Sequence, residues 1–137
     1  MKILLPLLLT ISTSLAMETN QAPDKLPGTA WQVTTFAGQT LLADHPITFE
    51  FDAEGSISGD ASCNRFGGTC TIEGDTIKVG PLRSTRRACE PEIMQQEQKF
   101  LALISAATTW LIEGDDLVLT APDGEIRASR TAAQSPQ

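Results

Sequence analysis

Three cysteines, one histidine and a knot of arginines are the residues of this 137-residue chain whose types and spacing could do chemistry. Cys63 and Cys70 bracket the stretch CNRFGGTC, Cys89 closes STRRAC, and His45 stands before Pro46. A structural zinc site wants four soft ligands, a number reached only if Cys63, Cys70, Cys89 and His45 are all used, in a spacing that matches no finger pattern. A thioredoxin-like redox pair keeps two residues between its cysteines at a helix start, whereas Asn64 to Thr69 separate Cys63 from Cys70. A cysteine or serine nucleophile needs a neighbouring base, and the single histidine sits beside a proline where an extended segment begins. No catalytic set, metal site or cofactor is indicated, and a disulfide staple remains. Three cysteines allow three single pairings, each with one thiol left over, and spacing alone does not choose. Closing Cys63 onto Cys89 would make a loop of about 26 residues, worth about 3 to 4 kcal/mol in the chain-entropy description.

The charge balance narrows the partners. Ten Lys and Arg stand against 17 Asp and Glu, a formal net charge of −7. A nucleic-acid surface needs an electropositive face to neutralise phosphates, so this balance argues against one, and anionic membrane surfaces are disfavoured for the same reason. The cations are unevenly spread, because Arg65, Arg83, Arg86 and Arg87 all lie in or beside the two cysteine segments.

Compartment decides what the cysteines become. Residues 1–16, MKILLPLLLTISTSLA, join one cation to a short apolar run and a small-x-small cleavage signature, the pattern of a secretory signal peptide. The run is shorter than the ~20 residues that span a bilayer, so no stable membrane anchor is expected after cleavage. The mature chain is thus expected in the periplasm or outside the cell, where paired cysteines oxidise. Residues 17–28 read as a flexible leader, 29–130 as one domain, and 131–137 as a disordered tail.

The elements that must position these residues are mostly strands. Trp31, Val33 and Thr35 share one face of a strand, and Ile47, Phe49 and Phe51 give the clearest period of two. TCTIEGDTIKV (69–79) and TWLIEGDDLVL (109–119) look like copies, but hairpins built around Gly-Asp turns converge on the same chemistry. One helix is expected from Pro91 to about Ala107, its apolar arc holding Ile93, Phe100, Ile104 and Ala107. Glu97 falls inside that arc, where a carboxylate needs a cationic or hydrogen-bonding partner or loses its charge; the alternative is that it reaches solvent at the fringe. The fold class is α+β and mainly β: a curled antiparallel sheet or partly closed small barrel of seven to eight strands with one inserted helix.

Taken in order, GDASCNRFGG (59–68), IEGDTIKVGPL (72–82), STRRAC (84–89) and EQKFLAL (97–103) resemble the META domain of HslJ-like proteins over about residues 29–127. The family pattern small-C-N-R-aromatic-x-G and T-R-x-x-C falls on Cys63, Asn64, Arg65, Phe66, Gly68, Thr85, Arg86 and Cys89, and an aromatic residue often stands where this chain has Cys70. The resemblance implies a Cys63–Cys89 disulfide, with Cys70 a small buried thiol. It also implies an exported bacterial envelope protein with no attached enzymatic reaction, in some members linked to heat shock or antibiotic tolerance.

The leading expectation is a noncatalytic, monomeric envelope protein that acts by contact. Its arginines, Arg65, Arg83, Arg86 and Arg87, would be gathered by the disulfide into a patch for a carboxylate or phosphate of an envelope protein or small anion. Internal use of these arginines is the competing account, with Arg83 or Arg86 neutralising Glu97 and the others pairing with Asp60, Glu90 or Glu92. Two further readings are an inhibitor of an extracellular hydrolase presenting Arg86-Arg87, and a carrier of a small apolar ligand lined by Trp31, Phe49, Phe51 and Trp110.

Overall fold

A computed structural model describes Ile3 and residues 25–132. The signal-peptide reading of residues 1–16 falls outside these apart from Ile3, as do most of the leader and residues 133–137 of the tail. Ten strands and one helix follow in the order β1 (Thr29–Phe36), β2 (Gln39–Thr40), β3 (Ile47–Phe51), β4 (Ser56–Ala61), β5 (Arg65–Glu73), β6 (Thr76–Val79), β7 (Arg83–Ser84), α1 (Pro91–Ser105), β8 (Thr109–Glu113), β9 (Asp116–Ala121) and β10 (Gly124–Thr131).

Turn chemistry sets the hairpins. Ala37 and Gly38 both have positive φ (50° and 73°), the two-residue turn whose twist matches that of its strands. Gly74 and Gly114 (φ 58° and 63°) each open a Gly-Asp turn in which the aspartate keeps negative φ, so the β5–β6 and β8–β9 hairpins share one turn type. All pairings are antiparallel, and β1 with β10 closes the path β10-β9-β8-β6-β5-β4-β3-β1 into an eight-stranded barrel. Strands β2 and β7 lie outside that ring, on β1 and β5 respectively.

Inward residues alternate as a barrel requires. Ile47, Phe49 and Phe51 of β3, Leu117, Leu119 and Ala121 of β9, and Ile126 and Ala128 of β10 are all buried. In β1 the register shifts between Val33 and Thr35, so Phe36 rather than the expected Thr35 turns inward beside Trp31 and Val33. Gly59 admits a close approach of the β3 backbone, for a Cβ there would overlap the Thr48 carbonyl oxygen and come within 2.7 Å of Phe49 Cα.

Helix α1 plugs the barrel. Pro91 sits at its first turn, where a missing N–H costs nothing. Phe100 is fully buried, its ring 5.7 Å from Phe66, 6.1 Å from Phe36 and 6.3 Å from Phe49. Burying such a side chain contributes about 1.5 to 3 kcal/mol, and the three-ring contact ties the helix to β1, β3 and β5. Trp31 is covered by the Arg130 guanidinium, 4.7 Å from its ring centre.

Two boundaries read from sequence move. Leu26, placed in the flexible leader, is fully buried, and its carbonyl accepts from Thr29 N while Gly28 N donates to Phe51 O at 2.7 Å. Thr131, placed in the tail, pairs with Ala30 in β10. The causes differ: pairing of β1 with β3 orders Gly28 and Leu26, and closing β1 against β10 orders Thr131; local composition reveals neither.

Candidate functional site

The strand β5 begins where the chain has just turned at Ser62 (φ 96°), and this turn delivers Cys63, Asn64 and Arg65 against the segment that follows β7. Cys63 is bonded to Cys89 in the structure, with Cα atoms 6.1 Å apart. Cys70 is free and buried on β5, and desolvation pushes its thiol up to about 11, so at neutral pH it is a protonated, unreactive apolar side chain.

Asn64 is the hub. Its Oδ1 accepts from Thr85 Oγ1 at 2.9 Å and from Arg87 N at 2.7 Å, and its Nδ2 donates to Glu97 Oε2 at 2.7 Å and to Arg87 O at 3.2 Å. Only 3% exposed, this amide uses its full side-chain capacity without water. Glu97, also 3% exposed, accepts from Asn64 N at 2.6 Å and Cys63 N at 3.2 Å besides the Asn64 amide. The partner that a carboxylate in the apolar arc of α1 needs is therefore asparagine and main chain, not arginine. Thr85 completes the link, receiving Arg65 N at 3.1 Å on its hydroxyl and donating its own N–H to Arg65 O at 3.0 Å.

The internal-use account of the arginines fails for Glu97, which no arginine reaches, and holds for Arg65, which pairs with Asp60. With Glu97 satisfied, Arg83, Arg86 and Arg87 are exposed and form no ion pair with any described residue. Arg65 lies 3.9 Å from Asp60, both side chains mostly in solvent, a pair worth little. Arg65 and Arg83 project from paired strands on the outer face, because Arg65 stands opposite Thr85 and Gly67 opposite Arg83. With Phe66, Gly67, Ser84 and Thr85 they line a shallow depression of about 340 Å³. Phe66 itself points inward to Phe100, and Gly68 is required where Leu82 and the Pro81 carbonyl come within 2.9 Å of any Cβ.

Gln96 went unnoticed in the sequence. It is buried, accepts from Leu42 N at 2.7 Å, and donates to Ser62 Oγ at 2.7 Å and His45 O at 3.1 Å, holding the β2–β3 loop to the turn before Cys63. Its signal was legible: residues 93, 96, 97, 100, 103 and 104 follow the i, i+3, i+4 spacing of a buried helix face. Lone His45 contributes its carbonyl to this arrangement. Trp31, Phe49 and Phe51 are buried core, while Trp110 is half-buried and donates to Gly74 O. Among the described residues no cluster of three His, Cys, Asp or Glu is placed to hold a metal, and no helix is long and apolar enough to cross a membrane.

The fold is a helix-plugged barrel in which a disulfide and a buried Asn64–Glu97 pair fasten the exposed segment after β7. The META domain family profile matches residues 24–134, and the chain belongs to that family, which is not known as a family of enzymes. Solved structures share the fold. A protein from Burkholderia xenovorans, determined by NMR, is 22% identical over 82% of this chain and 93% of its own length, with a TM-score of 0.65. A second NMR structure is 19% identical over 76% and 90%, TM-score 0.64. A DUF4847 family protein from Bacteroides vulgatus, determined by crystallography, is 13% identical over 80% and 96%, TM-score 0.58. At these identities the likeness is one of fold alone. No curated protein matches the sequence.

Proposed function

We propose that this chain is a noncatalytic, exported META-domain protein that acts by contact in the cell envelope, in the periplasm or at the cell exterior, and serves tolerance of heat or antibiotic stress. The surface that makes the contact is the arginine face beside the Cys63–Cys89 bond. One observation carries this reading: the buried carboxylate of Glu97 is satisfied by Asn64 and two main-chain N–H groups, which leaves Arg83, Arg86 and Arg87 free of ion pairs among the described residues. Guanidinium groups held on a tethered loop bind carboxylates and phosphates in forked geometry. The disulfide itself supports an oxidising compartment.

The test is charge reversal. An R65E/R83E/R87E variant keeps every buried group of the hub, so it folds, and it loses capture of an envelope component and any thermal shift with inorganic phosphate or citrate. Unchanged capture and unchanged shifts in that variant refute the reading.

A further inference from the structure

Besides the Cys63 and Asn64 amides, the hub holds the exposed segment 85–90, and the form of that grip names a partner. Every residue from Arg83 to Glu90 is exposed except Cys89, which is half-buried. Thr85 is fixed by its hydroxyl on Asn64 Oδ1 and by its N–H on Arg65 O. Arg87 is fixed on both sides of its Cα, its N–H donating to Asn64 Oδ1 and its carbonyl accepting from Asn64 Nδ2. Cys89 is fixed by the disulfide. Arg86, between the two anchored neighbours, makes no hydrogen bond or ion pair with any described residue through side chain, N–H or carbonyl. None of residues 85–90 has positive φ, as the extended substrate-like form requires.

We propose that this loop is the reactive-site loop of a serine protease inhibitor, with Arg86 entering the primary pocket of a trypsin-like enzyme and the Arg86–Arg87 peptide presented as the scissile bond. The proposal rests on the contact reading above and narrows its anionic partner to one carboxylate, that at the floor of such a pocket. The pocket takes an exposed guanidinium that has no ion pair, and Arg86 is exposed and forms none among the described residues. Its free carbonyl is available to the donors that stabilise a tetrahedral adduct.

Pre-ordering explains why such a loop inhibits instead of being consumed. Fixing a flexible segment costs about 1 to 2 kcal/mol of backbone entropy per residue, and a loop already held in place avoids most of that on binding. When the protease serine hydroxyl adds to the Arg86 carbonyl, its proton passes through the histidine to the Arg87 nitrogen as the C–N bond breaks. The new Arg87 amine stays on Asn64 Oδ1, and the disulfide holds its chain end. It therefore adds back to the acyl carbon, expels the serine oxygen, which regains its proton, and restores the peptide. Asn64 can keep this position because Glu97 anchors it from the helix.

The experiment titrates trypsin with the oxidised full chain and follows hydrolysis of a small arginine amide. The expected result is a one-to-one end point, with R86A raising the inhibition constant at least ~1,000-fold and R87A changing it by less than ~10-fold. R86L moves inhibition from trypsin to a chymotrypsin-type enzyme. Mass spectrometry of the complex at equilibrium finds intact chain together with chain cut only after Arg86. Three results overturn the proposal: no inhibition, rapid turnover of the loop as substrate, or an R87A loss equal to that of R86A. If inhibition is absent while R65E/R83E/R87E still abolishes envelope capture, the inhibitor proposal alone falls. If both effects are absent, both readings fall.

Discussion

Exchanging the polarity of the Asn64–Glu97 pair tests whether a directional hydrogen bond, rather than bulk or charge, holds the loop to the helix. In N64D the carboxylate oxygen that takes the place of Nδ2 faces Glu97 Oε2 across 2.7 Å. Two unit charges about 4 Å apart at an effective dielectric near 20 repel by roughly 4 kcal/mol. In E97Q two NH₂ groups face each other, and the loss of a charge-assisted bond with a donor left unpaired costs about 2 to 3 kcal/mol. In the double variant N64D/E97Q, the amide nitrogen introduced on the helix donates to one oxygen of the carboxylate introduced on the loop, while the other oxygen still receives Thr85 Oγ1 and Arg87 N. What is lost is the 3.2 Å bond to Arg87 O, whose carbonyl then faces a carboxylate oxygen in a part-buried position, at a cost of about 1 to 2 kcal/mol. The singles sum to about 6 to 7 kcal/mol and the double costs about 1 to 2, so the coupling energy is at least ~3 kcal/mol. Urea unfolding of disulfide-intact protein reads it directly: with a slope of about 1.5 to 2 kcal/mol per molar, the double variant regains about 1.5 to 2 M of midpoint relative to additivity. Additive singles, or an E97Q variant as stable as the parent, would refute the directional network.

Three further outcomes are expected. Replacing both Cys63 and Cys89 by alanine opens a 26-residue closure and lowers stability by about 3 to 4 kcal/mol, measured by the same unfolding assay, with the Asn64 clasp retained as judged by amide exchange at Arg87. Cys70, raised by burial from 9.0 to about 11, binds its proton more tightly folded than unfolded; stability is therefore level below pH 9 and falls as pH rises toward 11, a slope that C70A removes, while native protein resists alkylation at pH 8. Asp52 is held below the ordinary carboxylate range by the N–H groups of Ser56 and Glu54, so its contribution is present above pH 3.8 and fades as pH drops through its folded value; D52A flattens that acid limb in pH-dependent unfolding curves.

Much of the fold is written in short-range pattern. The helix from Pro91, the inward set Ile47, Phe49 and Phe51, and both Gly-Asp hairpins follow from periodicity and turn chemistry among residues a few positions apart. That Glu97 lay on the apolar arc was equally legible; that it is buried there and not turned to solvent at the fringe was decided by the structure. The β1 bulge was not, because it answers to the register that β10 imposes from across the seam. Gln96 was overlooked although the same helical spacing contained it.

By itself, then, the sequence determined a stapled, mostly β domain with one plugging helix, a carboxylate on its apolar arc and a concentration of arginine near the sulfurs. Tertiary structure bore out the Cys63–Cys89 pairing that the family resemblance implied and decided the rest: that Asn64 rather than an arginine meets Glu97, and hence that Arg86, between two anchored neighbours, has no partner among the described residues. The physical reason is separation along the chain. Asn64 and Glu97 are 33 positions apart, and a hydrogen bond over that distance is chosen by how the barrel closes around the helix, not by the residues on either side of each partner.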